Sequence, residues 1–130
     1  MVLEPAAAGF AALRANSSHI KKLTGALSNF EESLAEGNLV EMIRSDIHFH
    51  ALIGVATGNK TIQLLMGTIT KYLFDGWKAT LRVKGRPQKT VLEHGKILEA
   101  VVERNEGKAK QAMQRHLRNA VQDLKTHGLG

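Results

Sequence analysis

Apolar residues recur every three or four positions along almost the whole chain, which is the spacing of amphipathic helices. Glycine, asparagine and serine interrupt this pattern at intervals, where helices commonly begin or end. Because the interruptions are short, neighbouring helices should pack antiparallel, and the predicted fold class is all-α, an antiparallel bundle of about six helices. The predicted helices run from Glu4 to Ala15, from the Asn16–Ser18 cap to Gly37, from Asn38 to Thr57, from Asn59 to Leu81, from Gln88 to Arg104, and from the Asn105–Gly107 turn to His127.

The composition is that of one ordinary globular domain, taken as residues 1–130. The chain has no cysteine, which excludes disulfides and thiolate metal ligands and fits a reducing compartment such as the cytoplasm. Its apolar runs are far shorter than the ~18–20 residues that a membrane helix needs. The first residues include Glu4 and no basic leader, so we interpret them as a helix and not as a signal peptide. We therefore expect a cytoplasmic protein without membrane contact.

The formal net charge of +6 raises the question of nucleic-acid binding. Apart from a cluster over residues 78–89, the basic residues are spread along the chain, and no segment has to be a helix-turn-helix or an RNA-binding module. A basic, solvated surface is the favoured interpretation, and attraction to nucleic acid remains the alternative.

Titratable residues interrupt the apolar stripes of three helices. Asp46 and His50 are four positions apart in the third helix, so their side chains share one face. His94 falls in the apolar stripe of the fifth helix and His116 in that of the sixth. The positions of the last two are also matched, since each is 11 residues from Asn105 in the intervening turn. At ~1.5 Å per residue, both would lie roughly 16 Å from that turn and side by side in an antiparallel pair.

Each of these residues taken alone has a simpler explanation, as a helix-surface pair or as a core histidine with a hydrogen-bond partner. Buried imidazole and carboxylate groups are costly unless they are paired or coordinated, and here three helices direct such groups inward. Together they favour a site for a divalent cation of the Zn, Ni or Mn kind, with two or three coordination positions left for water or an oxygen ligand. His19, His48 and His127 do not fit this set, and we interpret them as surface residues.

Several short motifs resemble those of the FCD domain, the C-terminal domain of the FadR-like branch of the GntR transcriptional regulators. Asp46–His50 resembles its D-x-x-F-H motif, and Ala56–Asn59 resembles the A-x-G-N that follows. Three further segments fit in order along the chain: Leu3–Pro5 with the alanine-rich stretch behind it, Glu93-His94 with Ile97, and Ala112-Met113 with His116-Leu117.

The resemblance implies a dimerising helical bundle with a metal held by one aspartate and three histidines, which match Asp46, His50, His94 and His116. It also implies a small organic acid that reaches the metal and changes the DNA affinity of an attached winged helix-turn-helix domain. That domain, of ~70 residues, would precede Leu3 and is expected to be absent from this chain, so DNA would be bound only through it. The chain would then be a shortened regulator or a stand-alone sensor.

The predicted function is ligand sensing and not catalysis. A small carboxylate effector would complete the metal coordination, and a cation would hold its far end. Arg86, shortly before His94, is the first candidate for that cation, followed by Arg82 and Arg44. The fourth predicted helix is apolar on more than one face, which favours a homodimer. The alternative function is a metal-dependent helical-bundle enzyme that uses a metal-bound water. Such an enzyme needs a general base in the site. No carboxylate other than Glu93 is expected near the metal ligands, and Glu93 should point about 100° away from them.

Overall fold

The computed structural model describes residues 2–128, and this part of the chain consists of helices joined by short turns, without strands. The all-α prediction is confirmed. The helices are α1 (Leu3–Arg14), α2 (Ser17–Ala35), α3 (Leu39–Ala56), α4 (Lys60–Leu81), α5 (Arg86–Val102) and α6 (Glu106–Asp123), followed by a π-helical turn at Leu124–Gly128.

Asparagine side chains fix the starts of four helices; Asn16, Asn38 and Asn59 are predicted there by the sequence, whereas Asn105 is predicted only as part of a turn. The side-chain oxygens of Asn16, Asn38, Asn59 and Asn105 each accept a hydrogen bond from a backbone N–H in the first turn of α2, α3, α4 and α6. Each such cap typically contributes ~1 kcal/mol to stability. His19 completes the cap of α2, because the backbone N–H of Asn16 donates to its Nδ1 at 3.1 Å.

Two predicted boundaries are wrong by about two residues. The structure begins α5 at Arg86 and not at Gln88, because Gly85 adopts a φ of 83° that turns the chain and Pro87 is accommodated in the first helical turn. The turn before α6 falls at residues 103–105, where Arg104 has a φ of 61°, so Glu106 and Gly107 already belong to the helix. Neither shift changes the positions of His94 and His116 relative to Asn105.

The core is built around α1, which lies against α6, α3 and α5. Its alanines Ala7, Ala8, Ala11 and Ala12 are fully buried and let the neighbouring helices approach closely. At Gly9 the approach is tight enough that a Cβ would lie 3.2 Å from Cγ of Glu106. This packing brings α3, α5 and α6, the three helices with inward-facing titratable residues, around one end of α1.

The longest helix, α4, is packed differently, chiefly against α3. Its side chains Leu64, Leu65, Tyr72 and Phe74 are exposed at 71%, 46%, 82% and 40%, so the predicted surplus of apolar surface is present. None of the helices within residues 2–128 is both long and apolar enough to cross a membrane.

Candidate metal centre

Asp46, His50, His94 and His116 meet inside the bundle. Oδ1 of Asp46 lies 3.3 Å from Nε2 of His50 and 3.3 Å from Nε2 of His94. The Nε2 atoms of His94 and His116 are 3.2 Å apart. One ligand atom from each of the four residues lies within 4.8 Å of the others, so the cluster could hold a metal ion. We call these four residues the metal cluster.

Local helix geometry explains why these residues converge. Asp46 and His50 are one turn apart on α3, and His94 and His116 stand at the same height in the antiparallel pair of α5 and α6, as their equal distance from Asn105 predicts. The ring of Phe49 stacks on His94, with centroids 4.1 Å apart and planes 8° from parallel. Nδ1 of His94 has no hydrogen-bond partner, so this imidazole is held by its stacking on Phe49 and by the contact of its Nε2 with His116.

The donor atoms suit a divalent cation of the borderline kind. All four side chains are buried, and Oδ1 of Asp46 accepts no hydrogen bond of normal geometry although two imidazole nitrogens are nearby. A buried carboxylate oxygen without a partner is costly, and a cation would satisfy it. One carboxylate and three imidazoles form a set that Zn, Ni and Mn all accept.

A carboxyl group lies behind His50, on the side away from the cluster. Oε1 of Glu4, in the first turn of α1, accepts a hydrogen bond of 2.5 Å from Nδ1 of His50. A carboxylate can only accept at this contact, so it places the proton on Nδ1 and directs Nε2 at the cluster. Glu4 is 1% exposed, and its second oxygen has no partner.

A second carboxyl group supports His116 in the same way. Oε1 of Glu93 accepts a hydrogen bond of 2.6 Å from Nδ1 of His116, and Oε2 accepts one of 3.0 Å from Asn119. The guanidinium of Arg86, itself 1% exposed, pairs with Glu93 and, at 3.0 Å, with Asp123.

These neighbours set the protonation of the cluster. Burial lowers the pKa of His94 to about 3, so this imidazole is neutral. Burial also lowers the pKa of His50, but the carboxylates of Glu4 and Asp46 outweigh that effect and raise it to about 10. Burial disfavours the Asp46 anion, yet its contacts with His50 and His94 hold the pKa of this carboxyl far below its usual range. A cation at the cluster would therefore compete with a proton on His50.

The expectation that no carboxylate other than Glu93 lies near the metal ligands was wrong for Glu4. An acid in the first turn of a helix is typical of a solvated N-terminus, so its burial was not foreseen. Its signal in the sequence is its place in the same stripe as Ala8 and Ala11, on the face that α1 buries. Glu93 does point away from the metal cluster, as predicted, and thereby reaches Nδ1 of His116 on the neighbouring helix.

The three candidate arginines lie in different places. Arg86 lines a small cavity beside Asp46, His50 and His116, although its guanidinium also has protein partners. Arg82 is exposed near the end of α4, and Arg44 is exposed on α3, where it pairs with Glu41 at 3.0 Å. Among the remaining histidines, His48 and His127 are exposed as predicted, whereas His19 is only partly so.

Comparison with known proteins agrees with the motifs. The family described as the FCD domain matches residues 1–119. The chain belongs to the FCD domain family. It is 28% identical over 128 residues to the HTH-type transcriptional regulator LutR of Bacillus subtilis (strain 168), covering 95% of this chain and 57% of LutR. The family predicted from the motifs is confirmed, and it is a family of regulator domains and not of enzymes.

A solved structure shows the same fold. The chain superposes on the structure of Streptococcus agalactiae GntR with a TM-score of 0.76 at 21% identity, over 91% of this chain and 52% of the other. The chain thus spans about half the length of these two relatives.

Proposed function

We propose that this chain is the effector-sensing part of a GntR-family transcriptional regulator, which binds a divalent metal and a small carboxylate and thereby changes DNA binding by a winged-helix domain. The observation that carries the proposal is the metal cluster: four buried ligand atoms within 4.8 Å of one another, in a domain of the FCD family. LutR, the relative named above, is an HTH-type transcriptional regulator, which supports the DNA-linked role.

Asp46, His50, His94 and His116 would hold the cation, which would supply a Lewis-acidic contact for the effector's carboxylate. Glu4 and Glu93 orient two of the imidazoles, and Ile53 and Met113 are buried close by in the core. A dry surrounding strengthens charge interactions. Of the candidate cations for the effector's far end, Arg86 has the best support, because it lines the cavity beside the cluster; Arg82 and Arg44 lie outside that lining.

Metal content is the direct test. The purified chain should carry about one Zn, Ni or Mn ion per protomer by elemental analysis, or take one up on titration. A chain that stays metal-free under both conditions contradicts the proposal. The His94→Ala, His116→Ala double variant should lose the metal and stay helical by circular dichroism. His48→Ala changes an exposed histidine of α3 that is not part of the cluster, and this variant should keep the metal.

A homodimer is part of the same proposal. The exposed apolar side chains Leu64, Leu65, Tyr72 and Phe74 on α4 support it, because large apolar patches on a monomer commonly mark an interface. Sedimentation at tens of micromolar should show a dimer, and a strictly monomeric chain would count against this part of the proposal. We place the protein in the cytoplasm, acting on DNA only through the winged-helix domain.

A further inference from the structure

The cavity at the metal cluster is too small for an organic acid. Its volume is about 20 Å³, and its lining includes Asp46, His50, His116, Trp77 and Arg86. A cavity of ~10–15 Å³ on this measure already holds one water, so the space accommodates little more than a single water molecule. A carboxylate with any carbon skeleton must therefore extend into a neighbouring space, and a side chain must move to let it pass.

A larger groove adjoins this cavity. It has a volume of about 630 Å³ and lies between α4 and α6, extending to the π-helical turn. The side chains of Trp77, Thr80, Leu117 and Ala120 line both spaces, so they form the wall between them. Trp77 is the largest of the four and is half-buried, and its ring lies 4.5 Å from that of His50.

The wall has the properties of a movable barrier at Trp77. Thr80 is buried, and its hydroxyl donates to the backbone oxygen of Trp77, while Ala120 has no side-chain rotamers. Leu117 packs against the main core. Trp77 belongs to α4, which packs chiefly on α3, and beside it an added Cβ at Gly76 would meet no heavy atom within 4 Å. Trp77, which is half-buried, is therefore the wall side chain whose rotation would open the cavity to the groove.

The lining of the groove indicates what it would accept. Leu73, Leu117, Val121 and Leu124 provide an apolar surface, while Arg118 and Lys125 bring positive charge. Gln114 and Gln122 also line the groove, but most of its exposed lining is apolar. Such a surface favours a hydrocarbon body over a polyhydroxylated one, because only a few of the hydroxyl groups would gain partners for the water they lose. The two cations would attract an anion towards the entrance.

We propose that the groove between α4 and α6 holds the apolar body of the effector, and that Trp77 is the residue that moves to let the effector's carboxylate reach the metal cluster. The effector is then a carboxylate with an aryl or alkyl body and not a sugar acid. This inference rests on the proposed function, because it names the substrate class of the same site.

The test uses the zinc-loaded full chain and three probes: phenylacetate, gluconate, and phenylacetamide, which keeps the apolar body and lacks the carboxylate. Trp77 is the single tryptophan of the chain, so its fluorescence reports on the wall directly. Phenylacetate should bind more tightly than the other two and change the tryptophan emission, and chelator-stripped protein should lose this binding. If gluconate shows metal-dependent binding and phenylacetate does not, or if phenylacetate leaves the emission unchanged, the inference is overturned while the proposed function stands.

A matched pair of variants locates the binding surface. Val121 lines the groove and is 51% exposed, whereas Val102, at the end of α5, is 53% exposed and lies outside the groove lining. Val121→Ser should weaken phenylacetate binding roughly fourfold, since a buried methylene contributes ~0.8 kcal/mol. Val102→Ser should leave the affinity unchanged. Equal affinities in the two variants overturn the inference.

Two further outcomes would also overturn the inference. If Val121→Ser raises the dissociation constant of a dimer and not that of phenylacetate, the groove is an interface between copies of this chain and the inference is wrong. If neither acid binds the zinc-loaded chain in a metal-dependent way, the proposed function itself fails, and this inference fails with it.

Discussion

His50 and His116 are two members of the metal cluster, and each is backed by a carboxyl group in very different surroundings. Glu4, behind His50, is 1% exposed, makes one side-chain hydrogen bond, and leaves its second oxygen without a partner. Glu93, behind His116, has a side chain that is 13% exposed and contacts Asn119 and Arg86 in addition to His116. The side of Glu4 and His50, called the dry side below, is closed to water, and Glu4 is held there by a single hydrogen bond. The side of Glu93 and His116, called the network side, is a partly solvated set of linked polar groups.

The comparison separates two contributions to the site. On the dry side, the charge of Glu4 acts almost entirely on His50 and, through it, on whatever the cluster binds, because few other groups share it. On the network side, Glu93 is one of two acids around a buried guanidinium, so its charge also serves the packing of α5 on α6. We therefore expect metal affinity to depend more on the dry side and folding stability more on the network.

The largest effect should come from Arg86→Met. This change removes the cation that pairs with Glu93 and Asp123 and leaves two poorly solvated acids facing each other. Removal of one partner from a buried ion pair typically costs ~3–5 kcal/mol, and the partial exposure of both acids places the expected loss near ~3 kcal/mol. Urea unfolding of the chelator-stripped protein measures it.

The control for that variant is Arg82→Met, which removes an exposed arginine on the preceding helix end. Its free energy of unfolding should stay within ~0.5 kcal/mol of the starting protein. Similar losses in both variants would show that the network does not stabilise the fold beyond what any surface arginine does.

Glu4→Gln should have the next largest effect, on metal affinity. Glutamine keeps an oxygen that can accept from Nδ1 of His50 but loses the charge that supports the imidazole. Loss of such an outer partner commonly costs ~10–100-fold in metal affinity. Because Glu4 also raises the pKa of His50, weaker proton competition offsets part of the loss near neutral pH, and the lower end of that range is expected there.

Competition with a chelating dye gives the dissociation constant for zinc, and circular dichroism checks that the helices remain. Glu31→Gln, on the exposed face of α2, serves as the charge-matched control and should leave the affinity unchanged. If Glu4→Gln binds zinc as tightly as Glu31→Gln does, the carboxyl group behind His50 has no role in holding the metal.

The sequence predicted the parts of this molecule that follow from periodicity and from local capping. The helix order, the asparagine caps of α2, α3 and α4, and the register of His94 against His116 depend on spacing within one helix or one helical pair. The role of Glu4 was missed because it depends on how α1 docks against α3, a contact between residues 46 positions apart that no local pattern encodes. The partners of Arg86 were missed for the same reason, since Asp123 reaches it from the far end of α6.

The smallest effect is expected for Glu93→Gln. The variant keeps an acceptor for Nδ1 of His116, and Asp123 remains to pair with Arg86. Water can also reach the exposed part of the side chain at position 93. The loss in zinc affinity should therefore be below about tenfold and smaller than the loss for Glu4→Gln. The two variants should also differ in their response to salt, because screening acts on partly exposed charges and hardly on buried ones. Raising the ionic strength should therefore shrink the effect of Glu93→Gln and leave that of Glu4→Gln nearly constant, in the same dye-competition titration. Glu93→Gln could instead lose as much zinc affinity as Glu4→Gln, or more, at every salt concentration. In that case the contacts of Arg86 and Asn119 do not reduce the effect of losing the Glu93 charge, and the different surroundings of the two carboxyl groups do not affect metal binding.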